Sequence, residues 1–483
     1  MDQSRMPIFE ALKKYASEEK ISFHIPGHKD GSFVQPEFAE FLGPNIFRID
    51  ATEVEGLDDL HQPKEAIREA QELWASLFGA DHSFLLVNGT SSGIIAGLTT
   101  IASNGEGIVI PRNSHKSVYM SLVISGAKPI YLQPEINIED GYLGGINEVD
   151  LKNVFLKNPQ AKGIYIINPT YYGICSNTAK LVDIAHENHA IAVCDEAHGC
   201  HMRFSDKFPI DGIGAGADLS FQSTHKMLGS FTQSSILHVK SKTMDINKLK
   251  FNLQMMQTTS PSYLLMASLD AQRAQIAKVG KVVFEDLYFE ACESRKLINE
   301  IKGFRCLDNN IIGKYSIHDL DSMRFVITAR DMGINGYELM DIMNKKYGIN
   351  AEFSDYYYCI FILGPGTKID HIKKLKNALI EISRENVNKR APLEKSSIPP
   401  NIPEQAMLPR DAFFSEKERI SWSDARGRIM GEMIIPYPPG IPTICPGEIL
   451  TDDIFEYLDE IRVAGRHIQG SESEKLEFVN VLK

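Results

Sequence analysis

The stretch AIAVCDEAHG, residues 190–199, is an apolar run that ends in acids, a small residue and a histidine. The stretch ADLSFQSTHK, residues 217–226, has a similar pattern and ends in polar residues that include serine, histidine and lysine. Short apolar runs of this kind are typical of strands that are buried on both faces of a sheet. Because the carboxyl ends of neighbouring parallel strands meet at one edge of a sheet, we expect the two polar ends to lie close together.

Further apolar runs alternate with helical patterns between Phe84 and Val239. These runs are FLLV (84–87), GIVI (107–110), KPIYL (128–132), GIYIIN (163–168) and SSILHV (234–239). Such alternation predicts repeated strand–helix units. The sequence therefore predicts an α/β fold with a mainly parallel, covered sheet.

Charge and composition restrict the partners of this 483-residue chain. Its 51 Lys and Arg against 63 Asp and Glu give a net charge of -12, which repels nucleic acids and anionic membranes. No apolar run is long enough to span a membrane. The seven cysteines lack CxxC or other metal-ligand spacing, and the first residues carry acids instead of a secretory pattern. We expect a cytoplasmic protein that binds small molecules and no metal.

The residues that close the two quoted strands suggest covalent chemistry. Desolvation lowers the pKa of a lysine and makes its amine a nucleophile for aldehydes, which is the role that we consider for Lys226. Ser223 and His225 come just before it, and Asp195 and Ala197 close the other strand. For Lys226 taken alone, an ordinary surface lysine is the alternative, since most lysines are exposed.

The turn NGTSSG, residues 88–93, lies between the run FLLV and a helical pattern. Hydroxyls and free backbone N–H groups at a helix start can hold a phosphate, although Thr90 or Ser91 could equally act as a simple helix cap. The turn matches neither of the common glycine-rich nucleotide motifs. Together, a phosphate site, an aldehyde partner in Lys226 and an acid for a ring nitrogen in Asp195 specify pyridoxal 5'-phosphate.

Longer motifs along nearly the whole chain carry a family resemblance. They are FHIPGHKDG (23–31), TEVEGLDDLHQPKEAI (52–67), FGADHSFLLVNGTSSG (78–93), IPRNSHKS (110–117), INPTYYG (167–173), DEAHGCH (195–201), STHKMLGSFTQSSIL (223–237), TTSPSYLLMASLD (258–270) and GRIMGEMIIPYPPGIPTICPGE (427–448). This set closely resembles the Orn/Lys/Arg decarboxylase family of fold-type I pyridoxal-phosphate enzymes, and within it the shorter bacterial arginine decarboxylases. The resemblance implies a large domain similar to aspartate aminotransferase and a smaller α+β C-terminal domain.

The resemblance also implies roles for individual residues. Thr90 and Ser91 would hold the phosphate, and His115 would stack on the cofactor ring, for which a helix-cap or core histidine is the alternative. His198 would lie beside the ring or the substrate carboxylate. The expected catalytic residues are Lys226, His115, Asp195 and His198, and the expected cofactor-binding residues are Thr90, Ser91, His115, Asp195, Ala197, Ser223, His225 and Lys226.

The resemblance implies decarboxylation of a basic L-amino acid, with arginine giving agmatine for polyamine biosynthesis, and lysine or ornithine as alternatives. Acids that could bind the basic side chain are Glu53, Glu55, Asp58, Asp59, Glu352, Asp355 and Glu448. An aminotransferase or lyase of the same fold would usually need a C-terminal arginine, for which Arg410 and Arg426 are candidates. An inactive regulator is the remaining alternative, which intact Lys226, Asp195 and His115 disfavour.

We expect a homodimer, or a larger oligomer built from dimers, in which an N-terminal arm serves the partner's site. The predicted domains are that arm at 1–55, a cofactor-binding large domain at 56–265, connecting helices at 266–303, a small α+β domain at 304–390 and a C-terminal extension at 391–483. A polar, proline-rich linker is expected at 391–405.

Overall fold

The computed structural model describes residues 1–18, 20–393, 402–436, 441–463 and 467–483. Parts of the expected linker at 391–405 and of the proline-rich motif at 427–448 lie outside the described residues. Within the described ranges, no helix has the length and apolar character that crossing a membrane requires. The same residues contain no cluster of three His, Cys, Asp or Glu side chains that could hold a metal ion.

The strands follow the predicted apolar runs closely. In chain order they are β1 (His82–Leu86), β2 (Gly107–Pro111), β3 (Lys128–Leu132), β4 (Ile136–Asn137), β5 (Tyr142–Leu143), β6 (Gly163–Ile167), β7 (Ile174–Cys175), β8 (Ile191–Asp195), β9 (Leu219–Gln222), β10 (Ser235–Val239), β11 (Arg305–Cys306), β12 (Asp319–Leu320), β13 (Arg324–Thr328), β14 (Phe353–Ser354), β15 (Tyr358–Ile362), β16 (Lys417–Ser421), β17 (Ile435–Pro436), β18 (Ile468–Gln469) and β19 (Phe478–Leu482).

The helices occupy the segments between these strands and the long stretch after β10. They are α1 (Pro7–Ser17), α2 (Pro36–Leu42), α3 (Pro44–Ile49), α4 (Ala66–Phe78), α5 (Gly89–Ile101), α6 (Lys116–Ser125), α7 (Glu148–Lys157), α8 (Thr178–Glu187), α9 (Thr224–Met227), α10 (Ile246–Met256), α11 (Tyr263–Glu300), α12 (Gly336–Tyr347), α13 (Ile369–Asn386), α14 (Pro409–Phe414) and α15 (Asp452–Val463). The longest of these helices that the structure describes is α11, with 38 residues.

Seven strands form a sheet in the order β1-β10-β9-β8-β6-β2-β3. Strand β2 pairs in parallel with both β3 and β6, whereas β10 runs antiparallel to both of its neighbours, β1 and β9. Helices connect most of these strands, as parallel pairing requires. The predicted α/β fold with a mainly parallel sheet is confirmed.

The chain divides into two compact units. The first comprises residues 1–100, 194–206 and 210–284, and the second comprises residues 101–193, 207–209 and 285–483. These units do not bear on the five domain boundaries proposed from the sequence, which stay predictions.

In the first unit, two glycines bring helix α5 against the strands beneath it. A Cβ atom at Gly93 would lie 2.6 Å from Leu86 Cδ1, and one at Gly97 would lie 2.6 Å from Phe221 Cζ. A side chain at either position would force Leu86 or Phe221 to move, so the two glycines let α5 lie this close to the strands. Because Thr90 lies in the first turn of the same helix, this close packing sets the position of its hydroxyl group.

The second unit contains a four-stranded sheet in the order β11-β13-β15-β14, whose central strands β13 and β15 are antiparallel. Their sequences are RFVIT and YCIFI, and most of their residues are buried. A separate core near the C-terminus forms beneath the β16–β19 pair, where the Trp422 and Phe455 rings stack with centroids 4.5 Å apart. The C-terminal segment therefore has a hydrophobic core of its own.

Candidate active site

Lys226 lies in α9, a single helical turn that begins two residues after strand β9 ends. Its side chain is exposed in the chain. The role of Lys226 as a nucleophile for an aldehyde stays a prediction. The apolar strand is buried, but Lys226 follows it and lies exposed at the edge of the sheet. Any desolvation of its amine must therefore come from a bound molecule or a second chain.

His198 lies beside this lysine. The Lys226 Nζ atom lies 3.2 Å from His198 Nε2, within hydrogen-bond distance. His198 is itself only 6 % exposed. A buried imidazole in contact with an amine can exchange a proton with it, which is the property that acid–base chemistry at Lys226 needs.

Asp195 is the last residue of β8 and is 6 % exposed. Its Oδ1 atom accepts the backbone N–H of Ala197 at 3.0 Å. The next residue, Glu196, donates its backbone N–H to Phe221 of β9 at 2.8 Å, so the ends of β8 and β9 lie side by side. The structure thus brings Asp195, Ala197 and His198 to the strand end that leads into Ser223 and Lys226, as the parallel-sheet argument predicted.

Behind this edge, Glu196 is fully buried. Its carboxyl group accepts hydrogen bonds from the Gly212 N–H at 2.6 Å, the Ser220 hydroxyl at 2.5 Å and the Gln222 amide at 3.0 Å. Burial, and then the charge of Asp211, raises the pKa of Glu196 to about 8. We gave this residue no role from the sequence, although it stands inside the motif DEAHGCH.

The proposed phosphate site has its hydroxyl groups in place. The hydroxyl groups of Thr90, in the first turn of α5, and of Ser223 are hydrogen-bonded to each other. Ser91 is exposed beside them. His225 Nδ1 lies 2.7 Å from the Ser234 carbonyl oxygen, and burial lowers the pKa of its ring. The N–H groups at a helix start together with these hydroxyls can bind a phosphate.

His115 belongs to the second unit and is the N-cap residue of α6. Its Nδ1 atom accepts the backbone N–H of Ser117 at 3.3 Å and lies 2.9 Å from the Ser117 hydroxyl. The cap alternative considered for His115 is therefore realised. Capping through Nδ1 uses one edge of the ring and does not prevent a stacking role for its face.

Two of the acids considered for substrate binding have structural tasks. Asp58 accepts the backbone N–H groups of Lys64, Glu65 and Ile67 ahead of and within the first turn of α4. Glu448 is fully buried and forms an ion pair with Arg112, with 2.6 Å between Glu448 Oε1 and Arg112 Nη1. The prediction of Glu448 as a substrate ligand is wrong, because its carboxylate is enclosed and already bound.

The remaining candidates are more open. Glu53, Glu55 and Glu352 are exposed, and Asp355 accepts the hydroxyl of Tyr172. Arg410 and Arg426, considered for an aminotransferase, already have partners. Arg410 donates to the Ile124 carbonyl oxygen at 3.2 Å, and Arg426 pairs with Asp452 at 3.2 Å.

The residues of the first unit fit pyridoxal 5'-phosphate by the chemistry of their groups. Lys226 presents an accessible amine, and Asp195 presents a buried carboxyl group that already acts as an acceptor. Thr90 and Ser223 place hydroxyls at a helix start. An amine, a carboxylate and a hydroxyl-rich helix start are the groups that an aldehyde, a ring nitrogen and a phosphate require.

Known proteins share this architecture. Residues 6–371 match the family described as Orn/Lys/Arg decarboxylase, major domain, and residues 393–475 match its C-terminal domain. The arginine decarboxylase of Bacillus subtilis is 39 % identical over 484 residues, covering 100 % of this chain and 99 % of the relative.

Among solved structures, the lysine decarboxylase LdcF of Francisella novicida superimposes with a TM-score of 0.86 at 23 % identity, over 99 % of this chain and 81 % of that one. The ureidoglycine–glyoxylate aminotransferase of Bacillus subtilis matches 68 % of this chain and 87 % of its own with a TM-score of 0.55 and 11 % identity, which shows a shared fold. The sheet, the lysine-bearing turn and these matches agree: the chain belongs to the Orn/Lys/Arg decarboxylase family and has its fold-type I architecture.

Proposed function

We propose that this protein is a pyridoxal 5'-phosphate-dependent decarboxylase that converts L-arginine into agmatine and CO2. The observation that carries the proposal is the contact between Lys226 and buried His198 at the edge where β8 and β9 end. Asp195 closes the first of these strands, and the Thr90–Ser223 hydroxyl pair lies beside the second. The family match favours a decarboxylase over the other reactions of this fold.

Each residue has a task in this reaction. When bound, pyridoxal phosphate supplies an electron sink that lets the bond between the α-carbon and the carboxylate break. Lys226 would hold the aldehyde of the cofactor through its amine and could carry a proton to the substrate. His198, 3.2 Å from the Lys226 amine, could exchange a proton with it. Asp195 would face the ring nitrogen with its carboxylate and favour its protonated form.

The other residues orient and cover the reactants. The phosphate would be held by Thr90, Ser91, Ser223 and His225. Ala197 would leave room for the ring on one face, and the ring of His115 would cover the other face. An imidazole placed there also excludes water from the carboxylate that leaves. These residues would thereby orient the substrate and determine which of its bonds is activated.

Arginine is favoured over lysine and ornithine by relatedness. The Bacillus subtilis relative at 39 % identity is an arginine decarboxylase, whereas the lysine decarboxylase of Francisella novicida is 23 % identical. A guanidinium group binds best to a carboxylate that can accept two parallel hydrogen bonds. Exposed Glu55 and Glu352 have carboxylates available for this task.

The substrate is tested by incubating the purified protein with pyridoxal phosphate and each of arginine, lysine and ornithine. Released CO2 is measured and the amine is identified by mass spectrometry. We expect agmatine, with a kcat/KM for arginine at least about tenfold above the other two. Cadaverine or putrescine as the main product would transfer the assignment to lysine or ornithine. A keto acid would indicate an aminotransferase, and a cofactor-bound protein without any product would indicate an inactive regulator.

We further propose that the protein works as a cytoplasmic homodimer, or as a larger assembly of dimers. The N-terminal arm exposes large apolar side chains in a single chain: Ile21, Phe23, Phe33 and Phe41 are 88 %, 94 %, 89 % and 87 % exposed. An exposed apolar surface of this kind marks an interface, and a second copy of the chain is the partner that the shared sites of fold-type I enzymes imply.

Mixing two inactive chains tests whether the arm serves the partner's site. One chain carries Lys226→Ala and the other Glu55→Ala, chosen because Glu55 is exposed whereas His28 in the same arm bonds Asp50 at 3.2 Å. If the arm acts across the interface, each heterodimer has one intact site. A 1:1 mixture unfolded and refolded together should then regain about a quarter of wild-type activity.

A mixture that regains nothing shows that each chain serves its own site. Full activity of the Glu55→Ala chain alone shows that this arm residue takes no part. Lys64→Ala, at an exposed lysine after the arm, is the control and should keep wild-type activity in any mixture.

A further inference from the structure

The segment that carries His115 is a short turn between β2 and α6. It begins at Arg112, directly after β2 ends at Pro111, and it closes at the first turn of α6. Arg112, Asn113 and Ser114 are buried, although two of them are polar and one is charged. A buried polar turn needs specific partners, because its groups have lost the hydrogen bonds of water.

On the helix side, the partners are local. The Tyr119 hydroxyl donates to the carbonyl oxygen of Arg112 at 3.1 Å, and the Ser114 hydroxyl donates to that of Pro111 at 2.7 Å. Together with the cap between His115 and Ser117, these bonds fix the second half of the turn.

At its other end, the turn is held by the C-terminal segment. Arg112 makes a two-pronged ion pair with Glu448, at 2.6 Å from Nη1 to Oε1 and 2.8 Å from Nη2 to Oε2. Arg112 Nη2 also donates to the Thr443 carbonyl oxygen at 2.9 Å, and Glu448 Oε2 accepts the backbone N–H of Cys445 at 2.8 Å. More than 300 residues of sequence separate the two members of this pair.

The Arg112–Glu448 ion pair is buried and packs against aromatic rings, which restricts the orientation of the guanidinium group. The Arg112 guanidinium lies over the rings of Tyr131 and Tyr119, at 4.8 and 5.6 Å from their centroids. Burial alone would lower the pKa of Arg112, but the Glu448 carboxylate reverses that effect, so the pKa lies well above its usual value. The Arg112 guanidinium therefore stays charged although it is buried. A buried two-pronged pair fixes orientation more strongly than it adds stability, since desolvation offsets most of the attraction.

We propose that Glu448 is a positioning residue for the cofactor face of the enzyme: by clamping Arg112, the C-terminal domain holds the turn that presents the His115 ring. The inference deepens the proposed function and rests on it for the stacking role of His115. On this proposal the C-terminal domain contributes to catalysis by positioning the turn that carries His115. Neither its hydrophobic core nor the family match indicates this role.

Glu448→Gln is the test, with Glu432→Gln as the matched control. Glu432 is also a buried glutamate of the C-terminal segment, at 9 % exposed, but its partners there are Ser471 and the backbone and side-chain nitrogens of Asn480. Both substitutions remove one buried carboxylate and should lower the melting temperature. Only Glu448→Gln is expected to act on the turn.

Two readouts separate positioning from simple stability. In the chain without cofactor, the backbone amides of residues 113–118 should exchange with deuterium at least about tenfold faster in Glu448→Gln than in wild type or Glu432→Gln. With pyridoxal phosphate bound and no substrate, the visible circular dichroism of the cofactor should change in Glu448→Gln alone. The kcat should fall about 10- to 100-fold with little change in KM.

Unchanged exchange at 113–118 and an unchanged cofactor spectrum in a folded Glu448→Gln protein would overturn the proposal. If that variant does not fold, Arg112→Met combined with Glu448→Met removes both charges and can restore packing. The double variant should fold and still show the faster exchange and the altered spectrum. The exchange measurement needs neither cofactor nor substrate, so failure of the proposed function, seen as no amine from any basic amino acid, is a separate result.

Discussion

Lys226→Ala is expected to abolish amine production, with a fall in kcat of at least about 10³-fold. The amine proposed to bind the aldehyde and to return a proton would be absent, and with it the group whose Nζ atom lies 3.2 Å from His198 Nε2. In the wild-type protein, borohydride reduction with pyridoxal phosphate should leave the cofactor attached to Lys226. Peptide mass spectrometry of the reduced protein measures this directly.

Lys250→Ala is the matched control, because Lys250 is an exposed lysine of the same unit, on α10. It should retain wild-type kcat and the same labelled peptide. An adduct on a different lysine, or substantial turnover by Lys226→Ala, would remove Lys226 from the mechanism. Substantial turnover by Lys226→Ala would also require another amine to reach the edge of the sheet where β8 and β9 end.

Asp195→Asn should keep the cofactor while losing about 10²- to 10³-fold in kcat. In the proposed mechanism the carboxylate at the end of β8 would stabilise a positive charge on the ring nitrogen, and a neutral amide cannot do so. The hydroxyl groups proposed to bind the phosphate, on Thr90 and Ser223, are untouched by this change. Equilibrium dialysis of the cofactor and steady-state kinetics separate the two effects.

Asp206→Asn is the matched control, because Asp206 is an exposed aspartate outside the proposed site. This variant should behave as wild type. Turnover of Asp195→Asn within a few-fold of wild type would show that another acid faces the ring. Loss of cofactor binding in this variant would instead show that Asp195 contributes to affinity and not mainly to the chemical step.

The hydrophobic pattern was sufficient to predict the main architecture. Runs such as GIVI and KPIYL became β2 and β3 almost residue for residue, because strands buried on both faces need uninterrupted apolar side chains. The same logic placed Asp195 and Lys226 near one edge. Strand order and the antiparallel course of β10 were not predictable, since they depend on which strands pair far along the chain.

Long-range partners explain where the sequence was misleading. Glu448 looked like an acid for a basic substrate, but Arg112, far away in sequence, binds it. Gly93 belongs to the turn proposed to bind phosphate, and its lack of a side chain also allows close contact with Leu86, which the motif alone did not indicate. Lys226 follows a buried strand but is itself exposed, because a one-turn helix carries it out of the sheet. Single residues in a motif do not reveal which of several neighbours they will meet.

The buried carboxyl group of Glu196 has a consequence for the charge beside the cofactor. Glu196 is the immediate neighbour of Asp195, and two adjacent anions at one strand end would repel each other. With a pKa of about 8, Glu196 is mostly uncharged near pH 7, so it adds almost no second negative charge there. A pyridinium ring at the Asp195 end of β8 would therefore meet little additional charge from the neighbouring Glu196 side chain.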